Sequence, residues 1–266
     1  MDRTPFAAGK TRIAVHKFSS CDGCQLAFLN LGDALLALAD GVDFVHFAEA
    51  GPYDPDAAAD IAFVEGSISV PEDIERIARI RAQSGWLVAI GACAVSGGVQ
   101  ALRNDAPADW RAALYPQPET IVSLARSTPL SAHVRVDAEL CGCPVTARQV
   151  LGVIAAFRLH SVPRADSDKV CTECKRRGLP CVLVSKGVPC LGPVTRAGCG
   201  ALCPGVGRDC YGCFGPAETA NTDALAARFA DLGLSADAIV RRFAGINSQA
   251  PAFRHAAQRA RGETDG

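Results

Sequence analysis

No run of this sequence is apolar enough to cross a membrane. The long uncharged stretch from Ala82 to Leu102 is broken by Gln83, Ser84, Gly85, Ser96, Gly97, Gly98 and Gln100, short of the ~20 predominantly apolar residues a spanning helix needs. The opening residues, MDRTPFAAGKTRIAVHKF, have neither the apolar centre of an export signal nor an Arg-Arg pair, and point to a cytoplasmic protein. Charge of one sign is concentrated nowhere: 27 Lys and Arg stand against 28 Asp and Glu, scattered along the chain. That pattern advertises no nucleic-acid surface. No G-x-G-x-x-G follows a strand, and GACAVSGG at 91–98 carries a cysteine where a phosphate cradle needs close glycine approach. Flavin and nicotinamide nucleotides therefore belong to other chains.

What is present in excess is cysteine. Thirteen occur in 266 residues that are 49% hydrophobic, a chain long enough to bury a core without disulfide staples. In a reducing compartment structural disulfides do not persist, so the count points to metal or redox chemistry. Three sets of four thiolates, with one to spare, would serve either structural zinc or cubane iron-sulfur clusters.

The first half alternates strand-like and helical stretches. Ile13–Phe18, Val42–Phe47, Ile61–Glu65, Trp86–Ile90 and His133–Val136 are apolar or β-branched runs of strand length, several without in/out alternation, as in a parallel sheet covered on both faces. Between them, 25–39 carries Phe28, Leu31, Leu35 and Leu38 at helical spacing. Ser69-Val70-Pro71-Glu72 resembles a capping box before a second helix. This βαβα order predicts an α/β doubly wound parallel sheet, which places ligands beyond the carboxyl ends of its strands. Cys21 and Cys24, Glu65, Cys93, and the Cys141-Gly142-Cys143-Pro144 turn all fall there. A polar linker at 161–168 separates a first domain, 1–165, from a segment at 166–216 rich in Cys, Gly and Pro and so poor in core formers that metal would have to hold it. A helical tail, 217–266, follows, with helices at Asn221–Leu232, Ser235–Ala244 and Pro251–Arg261.

Cys21, Cys24, Cys93 and Cys143 form the first constellation. A C-x2-C turn can aim both sulfurs at one centre, with Gly23 taking any unusual φ, and a helix N-terminus at Cys24 favours thiolate. Cys143 is preferred to Cys141 because proline follows it, as after the closing cysteine of many cluster motifs; Cys141 is the spare. The second constellation has eight cysteines, spaced C-x2-C-x6-C-x8-C and then, after another gap of eight, C-x3-C-x6-C-x2-C. By analogy with two-cluster ferredoxins, where the fourth cysteine crosses over, Cys171, Cys174, Cys181 and Cys213 form one set. Cys190, Cys199, Cys203 and Cys210 form the other; sequential grouping stays open. Zinc ribbons use paired C-x2-C motifs and not these gaps, and a thioredoxin-like reading of Cys21 and Cys24 leaves eleven cysteines without a role. Glu65 either orients the first site or is hydrogen-bonded scaffold. His16 reads as a core or interface histidine.

SSCDGCQLAFLNL at 19–31, VEGSI at 64–68, GACA at 91–94 and GCPV at 142–145 resemble the small, electron-transferring subunit of nickel-iron hydrogenases, in the soluble branch that includes the delta subunits of NAD(P)-linked hydrogenases and sulfhydrogenases. The resemblance implies a flavodoxin-like domain holding a proximal 4Fe-4S cluster on Cys21, Cys24, Cys93 and Cys143, and a ferredoxin-like domain with two more. Three 4Fe-4S clusters in all would relay single electrons. It also implies a large subunit on another chain where hydrogen is split, and iron-sulfur and flavin- or NAD(P)-binding diaphorase-type partners. The related 20 kDa subunit of respiratory complex I, the alternative, has adjacent cysteines in its first motif, unlike Cys21-Asp22-Gly23-Cys24. Two departures are Gln25, where many small subunits have the Glu of a proton path, and GCPV for GCPP.

Overall fold

The computed structural model describes residues 9–38, 40–107, 109–163 and 167–263. The predicted domain boundary at 165/166 and the end of the predicted 25–39 helix lie outside them. Five strands form one sheet: β1 (Thr11–Lys17), β2 (Val42–Phe47), β3 (Ala59–Glu65), β4 (Ser84–Ile90) and β5 (Ala138–Leu140). The order is β2-β1-β3-β4-β5 and every pairing is parallel. This is the 2-1-3-4-5 order of flavodoxin-like sheets, whose switch point lies between β1 and β3.

Helices cover both faces, which explains the continuous apolar runs. On one face Ile13, Val15, Ile61, Phe63, Val88 and Ile90 pack against α1 (Gly23–Leu29) and a later helix, α6 (Ala147–Arg158). On the other, Ala14, Ala62, Val64, Leu87 and Ala89 pack against Ile77 and Ile80 of α3 (Pro71–Ala82). Two short helices, α2 (Asp33–Leu38) and α5 (Trp110–Leu114), and α4 (Gly91–Ser96) complete this part.

Three local expectations are corrected. The single helix predicted over 25–39 is two, α1 and α2, because the chain turns at 30–32 with Gly32 at φ +56°. Phe28 and Leu31 of the predicted stripe are buried. The fifth strand is not His133–Val136. His133 and Val134 close a turn on the Leu130 carbonyl, and pairing begins only after Asp137, whose backbone and carboxylate both bond Leu87. At α3 it is Asp73, not Glu72, that accepts the Ser69 and Val70 N–H groups, at 3.0 and 3.1 Å; Val70 offers no side-chain acceptor, so half the box is present.

The cysteine-rich segment has only short helices, α7 (Val170–Arg176), α8 (Val182–Ser185) and α9 (Leu202–Gly205). Its β contacts among the described residues are isolated bridges, Lys169 with Arg196 and Thr195 with Pro216. The tail forms α10 (Thr222–Asp231), α11 (Ala236–Phe243) and α12 (Pro251–Ala260), as its caps predict: Asn221 and Ser235 side chains accept N–H groups three residues on. The cysteine-rich segment, expected to need metal to hold its fold, also packs on the tail. Phe229, Phe243 and Phe253 of the tail share one core with Val170, Val182, Leu191 and Val194. Replacing Phe253, 1% exposed and in the same core as Cys210, with alanine should lower unfolding stability by about 3–5 kcal/mol, read from denaturant titration.

Candidate metal centre

The sheet brings four predicted thiols to its carboxyl edge. Cys21 and Cys24 follow β1, Cys93 lies in α4 directly after β4, and Cys143 follows β5. Glu65 ends β3 between them. The unusual φ of the first turn falls on Asp22 (+66°) rather than Gly23. Aspartate tolerates that region, and Lys17 holds its carboxylate at 2.7 Å.

Glycine makes room for the sulfurs. Gly91 has φ +84°, and a Cβ there would lie 2.4 Å from Cys24 Sγ; one on Gly98, φ +61°, would lie 2.5 Å from Cys93 Sγ. Neither position admits a side chain. The carbonyl of Gly142 accepts the Ala92 N–H at 2.7 Å, locking the Cys143 turn onto the Cys93 helix.

The thiols are buried close enough to act on one another. Burial pushes Cys24 well above the ordinary thiol value, helped by Glu65, Cys93 and Cys143. Burial, then Cys143, Cys21 and Glu65, push Cys93 up to about 11, and burial with Cys21 and Glu65 raises Cys143. Glu65, 2% exposed, accepts the Cys24 N–H at 3.1 Å, so it is a positioning group for that ligand turn. Burial raises its own pKa, and the Cys24 N–H opposes the shift. The side chain of the fully buried Gln25 also bonds the Glu65 carboxylate and opposes that shift. His16 is core, as predicted: it stacks on His46 at 4.6 Å, and burial first, then His46 and Arg76, lower its pKa to about 3.

Among the eight later cysteines several neighbours can be named. A Cβ on Gly192 would lie 3.4 Å from Cys190 Sγ and 3.6 Å from Cys171 Sγ. After burial, which brings Cys171 to about 11, the thiols raising it are Cys190, Cys174 and Cys181. Cys213, at about 12, is raised by burial and then by Cys199, Cys143 and Cys203. Burial also raises Cys210, with Cys190 and Cys213 adding to it. Cys190 thus has Cys171, Cys174 and Cys181 as neighbours and also receives the Cys210 N–H on its sulfur at 3.2 Å. Cys213 has Cys199, Cys203 and Cys143 as neighbours. Cys141 stands apart, raised by burial, with Arg196 and Glu139 as its charged neighbours.

Sequence reasoning missed Glu173, inside the Cys171–Cys174 motif. Its carboxylate accepts N–H groups from Gly198, Gly200 and Ala201 at 2.9–3.0 Å and so pins the Cys199 loop to α7. The acidic residue inside C-T-E-C was the only available signal. Backbone N–H groups reach sulfur at Cys190, from Cys210 at 3.2 Å, and at Cys210, from Gly212 at 3.5 Å.

Among the described residues no three His, Cys, Asp or Glu side chains converge on a point where one ion would sit. Tetrahedral zinc, with Zn–S near 2.3 Å, holds its sulfurs about 3.8 Å apart. The donor set, all thiols and with glycine leaving room beside Cys24, Cys93, Cys171 and Cys190, fits a cluster several atoms across better than a single ion.

Three comparisons bear on this arrangement. Residues 21–157 match the family model described as NADH ubiquinone oxidoreductase, 20 kDa subunit. The chain is 34% identical to sulfhydrogenase 2 subunit delta of Pyrococcus furiosus over 80% of its own length and 90% of that protein's. Its fold is similar, with TM-score 0.53 and 31% identity, to a chain of an NAD+-reducing [NiFe]-hydrogenase in the H2-reduced state, covering 58% of this chain and 94% of that one. A chain of the Ni-Fe-Se hydrogenase of Desulfomicrobium baculatum shares the fold alone, at TM-score 0.57 and 15% identity over 83% of this chain.

Thiols held above their ordinary value near 9 weaken the metal-free fold as pH rises. Raised groups contribute stability below the unfolded value and lose it on the way through the folded one. The metal-stripped chain should therefore lose unfolding stability between about pH 9 and 11, the range set by Cys93 and Cys171. The loaded chain, whose thiols are already deprotonated on metal, should not. Thermal melts of both forms across that range check it.

Proposed function

This chain belongs to the NADH ubiquinone oxidoreductase 20 kDa subunit family, in its hydrogenase small-subunit branch, and from that premise we propose how its cysteines serve an oxidoreductase acting on hydrogen. Cys21, Cys24, Cys93 and Cys143 hold a proximal 4Fe-4S cluster. Cys199, Cys203, Cys210 and Cys213 hold a middle one, and Cys171, Cys174, Cys181 and Cys190 an outer one. When bound, such clusters carry electrons one at a time. Residues 166–216 are then a two-cluster unit of ferredoxin-like role, buttressed by the tail at 217–266, beside the sheet domain at 1–165.

The observation that supports the reading is that Cys21, Cys24, Cys93 and Cys143, from three strand ends, are neighbours, with Gly91 leaving room at Cys24 Sγ and Gly98 at Cys93 Sγ. The chain's own contribution is to orient and dry these sites. Helix α1 begins one residue before Cys24, Glu65 fixes that turn, and the apolar sheet ends exclude water from Cys24. Hydrogen-bond donors to Cys190 and Cys210 sulfur favour added electron density there.

Exposure supports a direction of traffic. Cys21 and Cys181 are exposed, one in each terminal set, whereas no thiol of the middle set is. Beside Cys21, Leu26 and Leu29 of α1 are 52% and 39% exposed, an apolar face suited to the large subunit on which hydrogen is split. The outer set would hand electrons to an iron-sulfur or flavin- and NAD(P)-binding partner. Among the described residues no helix is long and apolar enough to cross a membrane, and a cytoplasmic location is part of the proposal. The complex I reading is weaker, because Asp22 and Gly23 separate the first two cysteines and eight more follow at 171–213.

Anaerobically purified chain with its partners' metal subtracted should contain about twelve iron and twelve acid-labile sulfide; zinc in place of iron would end the reading. Gly91→Ala, which drives a methyl into Cys24 Sγ, should remove about four iron and leave the other two clusters' signals intact. Cys190→Ala should disturb the same cluster signal as Cys171→Ala, and a match to Cys199→Ala would sink the sequential grouping.

A further inference from the structure

One residue of the tail touches both the first and the middle site. Asn247 lies in the turn between α11 and α12 and is 4% exposed. Its Nδ2 donates to the carbonyls of Gly212 and Cys213 at 2.8 and 3.2 Å. Those groups can only accept, so the amide orientation is determined, and Oδ1 faces the other way. There it accepts the Ser96 hydroxyl at 2.7 Å. Ser96 closes α4 one turn after Cys93, and its hydroxyl also reaches the Ala92 carbonyl at 3.0 Å. One side chain thus joins the helix of Cys93 to the turn of Cys213, where Cys213 faces Cys143.

We propose that Asn247 is a positioning residue for electron transfer, setting the separation and orientation of the proximal and middle sites through its bonds to Ser96 and to the Gly212 and Cys213 carbonyls. This rests on the cluster reading above. A buried amide with a donor on one side and two acceptors on the other is specific in both directions: no residue of similar size except asparagine satisfies all three groups. Asn247 need not carry the domain contact itself. The adjacent Gln249 bonds Arg126 at 2.9 Å and Asp105 at 3.1 Å, so the tail stays docked on the first domain when the amide is changed.

The test uses the anaerobic complex with its partner subunits. Asn247→Asp keeps the shape and the acceptor for Ser96 but turns an oxygen toward two carbonyls. It should retain its iron while the spin–spin interaction between reduced proximal and middle clusters changes in the EPR spectrum. Hydrogen-dependent reduction of the acceptor should slow about tenfold, the scale of an outer-shell loss. A bystander that merely held the fold would shift the melting point and leave the spin interaction as it was. Unchanged interaction and rate overturn the proposal. Should Asn247→Asp lose iron, Ser96→Ala, which spares the bonds to Gly212 and Cys213, decides: an altered interaction supports the proposal and an unaltered one overturns it. A wild-type complex with no interacting pair of reduced clusters would instead overturn the cluster reading, and this inference with it.

Discussion

The arrangement depends on a cost, the gathering of thiols out of water. Burial is the leading cause of every upward shift among these cysteines, and neighbouring thiols add to it at Cys93, Cys171 and Cys213. As thiolates they would repel in a low dielectric; as thiols they bind no metal. A cationic iron core reverses that balance by displacing the protons and neutralising the charge. The surrounding protein can be read as the means of holding the sulfurs in place until it does. Gly91 and Gly98 clear the volume, and Glu65 and Glu173 spend carboxylates on backbone N–H groups of the ligand loops.

The parallel sheet solves half of the placement problem. All its strands end at one edge, so four ligands far apart in sequence meet without long loops. The cysteine-rich segment has no sheet to lean on, and its short helices could not bury much by themselves. Its solution is the tail, whose three phenylalanines close the core beneath Cys190 and Cys210. The tail therefore acts as that segment's missing layer, and Asn247 and Gln249 tie it to residues around the sheet.

Much of this was legible in the sequence where local chemistry decides the outcome. Four of the five strands and the three tail helices follow from runs of apolar residues and from caps such as Asn221 and Ser235. The fifth strand was not, because Val134 looks apolar yet is held in a turn by Leu130, and Asp137, a poor strand former, sets the register through Leu87. The helix break at Gly32 was hidden by a continuous apolar stripe. The candidate ligand cysteines stand out by spacing, but how the last eight would divide depends on where the chain carries Cys190 and Cys213. Spacing is silent on that. Glu173 and Asn247 were invisible for the same reason: their partners lie 25 to 151 residues away in sequence.

The proposed sequential grouping changes what a relay would mean physically. With crossed ligands the two later sites would be interlocked, and each would depend on the other's loop. With Cys171–Cys190 and Cys199–Cys213 as separate cradles, directional contacts would tie the sites together: Glu173 on the Cys199 loop, the Cys210 N–H on Cys190 sulfur, and Asn247 between the Cys213 turn and α4. These polar bonds have fixed geometry and run beside an apolar core that both segments share. Distances between proposed carriers are then set by a few directional interactions, while the apolar cores on either side supply stability. Electron transfer is sensitive to distance and packing cores tolerate change. A chain that assigns spacing to hydrogen bonds and stability to packing can vary one without disturbing the other.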